Sequence, residues 1–68
     1  MLSGKVKWFN ATRGFGFIQP DDGSADAFVH ISAVQQAGLS TLLPDQEIRF
    51  DLEPDLTGRM AAVNLMLG

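Results

Sequence analysis

The chain has 68 residues and a formal net charge of −3, with one His and no Cys. A chain of this length predicts one small domain, residues 1–68, that buries about 60% of the surface exposed when it is unfolded. The absence of Cys excludes disulfides and thiolate metal sites, and a single His excludes a multi-histidine zinc cluster. We find no apolar run near the ~20 residues of a spanning helix, no signal-peptide pattern and no lipidation motif, so we expect a cytoplasmic location.

Positive charge is concentrated at one end of the sequence. Residues 1–20 carry Lys5, Lys7 and Arg13 without any acid, whereas residues 21–68 carry two Arg and eight acids. The net charges of the two segments are therefore +3 and −6. The basic segment also contains Trp8 and three of the five Phe. An acidic chain argues mildly against nucleic-acid binding, which depends largely on phosphate contacts, but this clustering of cations with aromatic residues reverses the argument.

Turn residues divide the chain into five predicted strands, at residues 5–10, 15–19, 27–31, 47–53 and 59–67. Pro20 ends the second strand, and Gly23 in the following loop can adopt positive φ. The connection over residues 32–46 has no clean alternation and at most a helical turn near 32–35. Residues 54–58 close a hairpin between the last two strands.

Five strands with a long third connection favour an all-β fold, a five-stranded antiparallel OB-fold-like Greek-key barrel. A five-stranded SH3-like barrel is the main alternative on strand count. Side-chain alternation places residues i and i+2 on one face of a strand and predicts an aliphatic core, formed by Val6, Ile18, Val29, Ile48, Phe50, Leu52, Val63 and Leu65.

The opposite faces of the second and third strands carry rings. If Ile18 and Val29 point to the core, then four ring-bearing residues face outward together: Phe15, Phe17, Phe28 and His30. Two Phe at i and i+2 in a small β-protein usually belong to the core. Here the residues on the opposite faces of the strands already supply a core, and an apolar core would not accept an unpartnered His. Glycines at 14 and 16 flank the Phe pair, and strand glycines often mark a bulge or a close backbone approach.

Trp8 is ambiguous by periodicity. Simple alternation puts Trp8 on the core side with Val6, and Lys7 and Phe9 outside. A bulge in the first strand would instead expose both Trp8 and Phe9, and we favour that interpretation because of the resemblance described below.

An exposed group of rings usually marks a binding site. Rings beside Lys and Arg suit unpaired nucleic acid, because every base offers a π-face for stacking, at roughly 1–3 kcal/mol per base. Lys5, Lys7 and Arg13 can then contact the phosphates. A duplex hides its base faces, so we expect a preference for single strands.

Two segments resemble the ribonucleoprotein-like motifs of the bacterial cold-shock proteins. GKVKWFN followed by RGFGFI is similar to the first motif, and AFVHISAV is similar to the second, and the likeness covers the whole chain. The resemblance implies an OB-like barrel that binds single-stranded RNA and DNA with little sequence demand, often with a preference for pyrimidine-rich stretches. Family members act as nucleic-acid chaperones that melt or prevent RNA secondary structure. The family's stacking positions fall on Trp8, Phe15, Phe17, Phe28 and His30, with Phe9 at the edge.

The sequence also departs from the family pattern. Ile31 and Leu39, at the rim of the proposed ring surface, stand where aromatic residues are common, and Ser40 stands where Lys is common. Arg13 replaces Lys, and GRM replaces a common G-P-x near the end. We therefore expect fewer stacked bases, or weaker binding, than in a fully aromatic relative.

Other functional classes have weaker support. Asp26, His30 and Ser32 could be a catalytic triad, but no oxyanion loop is evident. Asp51 and Glu53 share a strand face and could be paired catalytic carboxylates, but a solvated strand face explains them better. A barrel that binds oligosaccharides or proteins is the serious alternative, although a neutral sugar has no use for the cations. We expect a monomeric protein that is not an enzyme and that has neither a metal nor a cofactor.

Overall fold

The computed structural model describes residues 1–67 as a five-stranded barrel with one short helix. Its elements are β1 (Leu2–Asn10), β2 (Phe15–Pro20), β3 (Ala27–His30), α1 (Ile31–Gln36), β4 (Glu47–Pro54) and β5 (Met60–Leu67). The strands close in the order β1-β2-β3-β5-β4, with β4 paired back to β1. The predicted all-β, OB-fold-like barrel is thereby confirmed. Adjacent strands are antiparallel except β3 and β5, which meet in parallel at Phe28 and Ala61.

Aliphatic side chains and one Phe fill the interior. Six of the predicted core residues are buried: Val6, Ile18, Val29, Ile48, Phe50 and Leu65. Ala33 and Val34 of α1 and Leu42 of the long connection are also buried. No polar or charged side chain is buried within residues 1–67. Within this range, no helix is long and apolar enough to cross a membrane.

Two of the predicted core residues, Leu52 and Val63, are only partly buried. Leu52 still packs against the core, whereas Val63 is displaced by a break in the alternation of β5. The pairing of β4 with β5 shifts register between Arg49 and Asp51. In β5, Asn64 adopts a left-handed φ of 54°, which Asn tolerates better than most residues. Ala62 and Leu65 therefore point inward, three positions apart, and Val63 lies between them.

The end of β3 also differs from the prediction. Ile31 does not continue the strand but begins α1, and His30 is the N-cap, with its Nδ1 accepting a hydrogen bond from the Ser32 amide at 3.1 Å. An acceptor at this position satisfies one of the free amides of the first helical turn. The chain thus turns directly after His30, which leaves His30 exposed and lets Ile31 pack against the core.

A tight turn joins β1 to β2. The Asn10 side-chain oxygen accepts a hydrogen bond from the Arg13 amide at 3.0 Å, and the Gly14 amide donates to the Asn10 carbonyl at 2.8 Å. Gly14 has a φ of 85°, which favours glycine. Its carbonyl accepts a hydrogen bond from the Ile31 amide at 2.8 Å. The turn therefore fixes the start of β2 against the end of β3.

Candidate nucleic-acid interface

A bulge in β1 reverses the alternation between Val6 and Trp8. Val6 is paired with Ile18 and Trp8 with Phe17, so Lys7 has no counterpart in β2. An extra residue in one strand redirects the side chains that follow it. Val6 is completely buried, whereas the Trp8 side chain remains 41% exposed. The bulge that we favoured from the sequence is therefore present.

Five ring-bearing residues form one surface across β1, β2 and β3, which we call the aromatic platform: Trp8, Phe15, Phe17, Phe28 and His30. The Trp8 ring lies 5.6 Å from Phe15 and 5.4 Å from Phe17, measured between centroids. Phe28 lies 5.9 Å from both Phe15 and Phe17. These distances fall in the range of favourable aromatic pairs. The sheet register pairs Phe15 directly with His30, which brings the imidazole to the same surface.

His30 has a defined hydrogen-bond arrangement. Its Nδ1 accepts from the Ser32 amide and lies 2.9 Å from the Ser32 hydroxyl. Because an amide can only donate, Nδ1 is unprotonated in this arrangement, and the neutral ring carries its hydrogen on Nε2. The exposed imidazole can therefore present both a π-face and an N–H donor to a ligand.

Three further predicted site residues pack against the core: Phe9 at the edge of the platform, and Ile31 and Leu39 at its rim. All three are partly exposed, as are the Phe rings of the platform. Phe9 pairs with Gly16, and a Cβ at Gly16 would lie 2.7 Å from both Cα and Cδ1 of Phe9. The Phe9 ring thus fills the space that glycine leaves. Among the described residues it forms no aromatic pair with the platform.

All three predicted cations, Lys5, Lys7 and Arg13, are exposed. The Lys7 ammonium forms an ion pair with Asp26 at 2.9 Å. Exposed pairs of this kind typically contribute about 0–1 kcal/mol, so a phosphate can replace Asp26 at little cost. Within residues 1–67, the Asp26 carboxylate accepts a hydrogen bond from Lys7 and none from His30 or Ser32, so the catalytic triad considered from the sequence is not assembled.

The sequence analysis did not identify Arg59 as a contact residue. Its guanidinium carbon lies 5.0 Å from the centroid of the Phe28 ring, within the range of a cation–π contact. Arg59 lies in the acidic part of the sequence, just before β5. The clustering of cations in residues 1–20 therefore did not indicate it as a contact residue. Only the parallel pairing of β5 with β3, at Ala61 and Phe28, brings it to the platform.

A groove of about 330 Å³ adjoins the platform on the same side. Its volume is at the lower end of the range for small-ligand sites. Platform residues Phe28 and His30 form one wall, and the β4–β5 loop supplies Asp55, Leu56 and Thr57. Leu56 is fully exposed at the tip of this loop. Within residues 1–67, no group of three or more His, Cys, Asp or Glu is placed to hold a metal ion.

A closed five-stranded barrel with an exposed aromatic face defines a class of small OB-like domains. Comparison with known proteins is more specific, because the family model of the 'Cold-shock' DNA-binding domain matches residues 2–67. The chain therefore belongs to the cold-shock domain family, which is a family of nucleic-acid-binding domains.

Similar proteins extend over nearly the whole chain. The "Probable cold shock protein y4cH" of Sinorhizobium fredii is 64% identical over 66 residues, which is 96% of each chain. Cold shock protein CspA of Rhizobium meliloti is 54% identical over 66 residues, again 96% of each chain. Cold shock-like protein CspE of Escherichia coli is 49% identical over 61 residues, which covers 90% of this chain and 88% of the relative. The resemblance inferred from the two motifs is thereby confirmed.

Proposed function

We propose that this protein binds single-stranded RNA and DNA with low sequence specificity, by stacking bases on the aromatic platform while cations contact the phosphates. Pyrimidine-rich strands are the preferred ligands, and the protein acts as a monomer. The observation that carries the proposal is the contiguity of the platform, whose four aromatic rings lie within 5.4–5.9 Å of their neighbours on an outer face of the barrel. Trp8 is exposed and the three Phe rings are partly exposed, and rings at this spacing offer successive stacking surfaces to unpaired bases.

The phosphate contacts in this proposal come from Lys5, Lys7 and Arg13, with Phe9 at the edge of the bound strand. Lys7 lies at the bulge beside Trp8, and Arg13 lies in the turn that precedes Phe15. Both cations are therefore close in sequence to rings of the platform. A bound nucleic-acid strand that stacks its bases on the rings needs cations near its phosphates. Because a duplex buries its base faces, the platform discriminates against double strands.

Preference for open strands makes the protein a nucleic-acid chaperone. A protein that binds only the open form stabilises it by RT ln(1 + [L]/Kd) per site, about 2.7 kcal/mol at a free concentration of one hundred times Kd. This free energy is sufficient to open weak RNA hairpins without ATP. Through such openings the protein influences transcription or translation. The role is one of binding and not of catalysis.

Binding of neutral oligosaccharides is the alternative for an aromatic surface on an OB-like barrel. The cations beside the rings favour nucleic acid. Salt separates the two, because counterion release weakens phosphate binding as salt rises, whereas binding of a neutral sugar has no such term.

The test is fluorescence anisotropy of labelled oligonucleotides at several salt concentrations. We expect oligo-dT and oligo-U to bind, with a slope of log K against log[salt] of roughly −2 to −3 for about three phosphate contacts. A duplex of the same length should compete weakly. Equal competition by single strand and duplex would contradict stacking on the platform, and the absence of binding would contradict the proposed function.

A further inference from the structure

Arg59 covers part of the platform in the free protein. Its guanidinium lies over the Phe28 ring, 5.0 Å from the centroid, so a base that approaches Phe28 from this side meets Arg59 first. A guanidinium is planar and can stack on an aromatic ring through one face while leaving the other face open. A guanidinium in this position is available to a base that approaches Phe28.

The loop that carries Arg59 is held in place by its own hydrogen bonds. The Asp55 side-chain oxygen accepts hydrogen bonds from the Arg59 amide at 3.0 Å, the Thr57 amide at 2.9 Å and the Thr57 hydroxyl at 2.7 Å. The Asp55 amide donates to the Arg59 carbonyl at 2.8 Å. Gly58 provides the left-handed residue of the turn, with a φ of 84°. The backbone of Arg59 is thus fixed before any ligand arrives, which reduces the entropy lost on binding.

Resting on the proposed single-strand binding, we propose that Arg59 is a further base-stacking residue. At this position a base stacks on the Arg59 guanidinium and not directly on Phe28, which gives a layered arrangement of ring, guanidinium and base. The adjoining groove between Phe28, His30 and Leu56 gives the nucleotide room beside this stack. The β4–β5 loop thereby becomes part of the nucleic-acid interface.

This role depends on the planar shape of the side chain, whereas a phosphate contact depends on its charge. The variant Arg59→Lys keeps the charge and removes the plane, and Arg59→Ala removes both. Arg49→Lys is the matched control, because Arg49 is an exposed arginine on β4 that borders a different groove, with Ser3 and Glu47. Arg59 is exposed, so these changes leave the barrel core intact.

The experiment measures the affinity of each variant for oligo-dT by anisotropy at two salt concentrations. We expect Arg59→Lys to weaken binding at least about five-fold, which corresponds to the lower limit of the stacking energy for one base. The slope of log K against log[salt] should not change. Arg49→Lys should bind like the wild type. Proton NMR should show contacts between the Arg59 side chain and base protons in the complex.

Two results would overturn the inference while leaving the proposed function intact. If Arg59→Lys binds like the wild type and Arg59→Ala only reduces the salt slope, Arg59 is a phosphate contact. If Arg59→Ala binds more tightly than the wild type, Arg59 blocks Phe28 and does not extend the platform. If the wild type itself fails to bind oligo-dT, the proposed function and this inference fall together.

Discussion

Single residues decide which rings are available to a ligand. The bulge at Lys7 turns Trp8 outward, while Phe9 turns toward the barrel and packs against Gly16. Two neighbouring aromatic residues of one strand therefore have different surroundings. Trp8 contacts Phe15 and Phe17 on the platform, whereas Phe9 contributes to the packing of the core. Mutations at these positions should separate binding from stability.

Replacing Phe17 by Leu should weaken single-strand binding by about five-fold or more, because one stacking surface is lost. The matched change Phe9→Leu should lower the free energy of unfolding by on the order of 1 kcal/mol and alter the affinity less. Anisotropy titration and urea unfolding of both variants measure the two effects. An equal loss of affinity in the two variants would show that Phe9 stacks on bases as Phe17 does.

Ile31 and Leu39 are aliphatic at the rim of the platform, and both pack partly against the core. The double change Ile31→Phe with Leu39→Phe should tighten binding of oligo-dT by about five-fold or more, because rings replace side chains that cannot stack. Urea unfolding of the double variant controls for overpacking, which can cost about 1–3 kcal/mol. Unaltered affinity in a folded double variant would contradict the role assigned to the rim.

At the scale of elements, contact between β1 and β2 depends on glycine. A Cβ at Gly16 would collide with the Trp8 carbonyl and lie 2.7 Å from the Phe9 Cα, both backbone atoms. Gly16→Ala should therefore destabilise the protein by more than about 2 kcal/mol, at the level of a severe core defect. Gly23→Ala is the control, since nothing lies within 4 Å of its Cβ and only its φ of 81° is unfavourable, at roughly 1–2 kcal/mol. Equal unfolding free energies in urea would contradict this packing.

The β4–β5 loop should respond to acid. The hydroxyl of Thr57, followed by the backbone amides of Thr57 and Arg59, lowers the pKa of Asp55 below 3.8. A carboxyl group whose pKa is lower in the folded than in the unfolded state stabilises the protein when the pH is above its unfolded-state pKa. This contribution is lost as the pH falls through the folded-state pKa. The pKa of Asp22 is lowered in the same way by the Ser24 hydroxyl and amide, so a residual acid dependence remains in an Asp55 variant.

Thermal unfolding between pH 6 and pH 2 measures the effect of Asp55. Asp55→Asn should have a lower Tm than the wild type at pH 6, and the difference should shrink as the pH falls below about 3.8. Glu53→Gln removes one negative charge from the neighbouring strand β4 and controls for net charge. A constant difference in Tm across this range would show that the Asp55 hydrogen bonds do not depend on its charge.

The sequence was most informative where alternation is regular. It predicted the inward residues of β2 and β3, and hence the outward Phe15, Phe17, Phe28 and His30, because these strands are short and unbroken. It was wrong about Val63, because the left-handed Asn64 interrupts the alternation of β5, whereas Leu52 is only partly buried but does pack against the core. It placed Ile31 in β3, because it did not anticipate that His30 would cap a helix. Arg59 was not predicted, since its contact with Phe28 depends on a long-range strand pairing.

Across the whole molecule, an acidic net charge coexists with a locally basic binding surface. The acids dominate residues 21–68, while Lys5, Lys7 and Arg13 belong to the β1–β2 segment that carries most of the platform. The Lys7–Asp26 pair shows that the two charge regions meet at the edge of the site. In the proposed function, few phosphate contacts imply a shallow salt dependence, and stacking then supplies much of the affinity. The same proposal predicts low sequence specificity, because every base has a π-face.

The most direct test of the central claim is a titration followed by tryptophan fluorescence. The chain has one Trp and no Tyr, so the signal comes essentially from Trp8 on the platform. Oligo-dT of roughly seven nucleotides, within the site size of an OB-fold, should quench this fluorescence strongly, and the affinity should fall as salt is raised. Anisotropy of the labelled oligonucleotide should give the same Kd. Binding seen by anisotropy without any change in Trp8 fluorescence would contradict stacking on the platform.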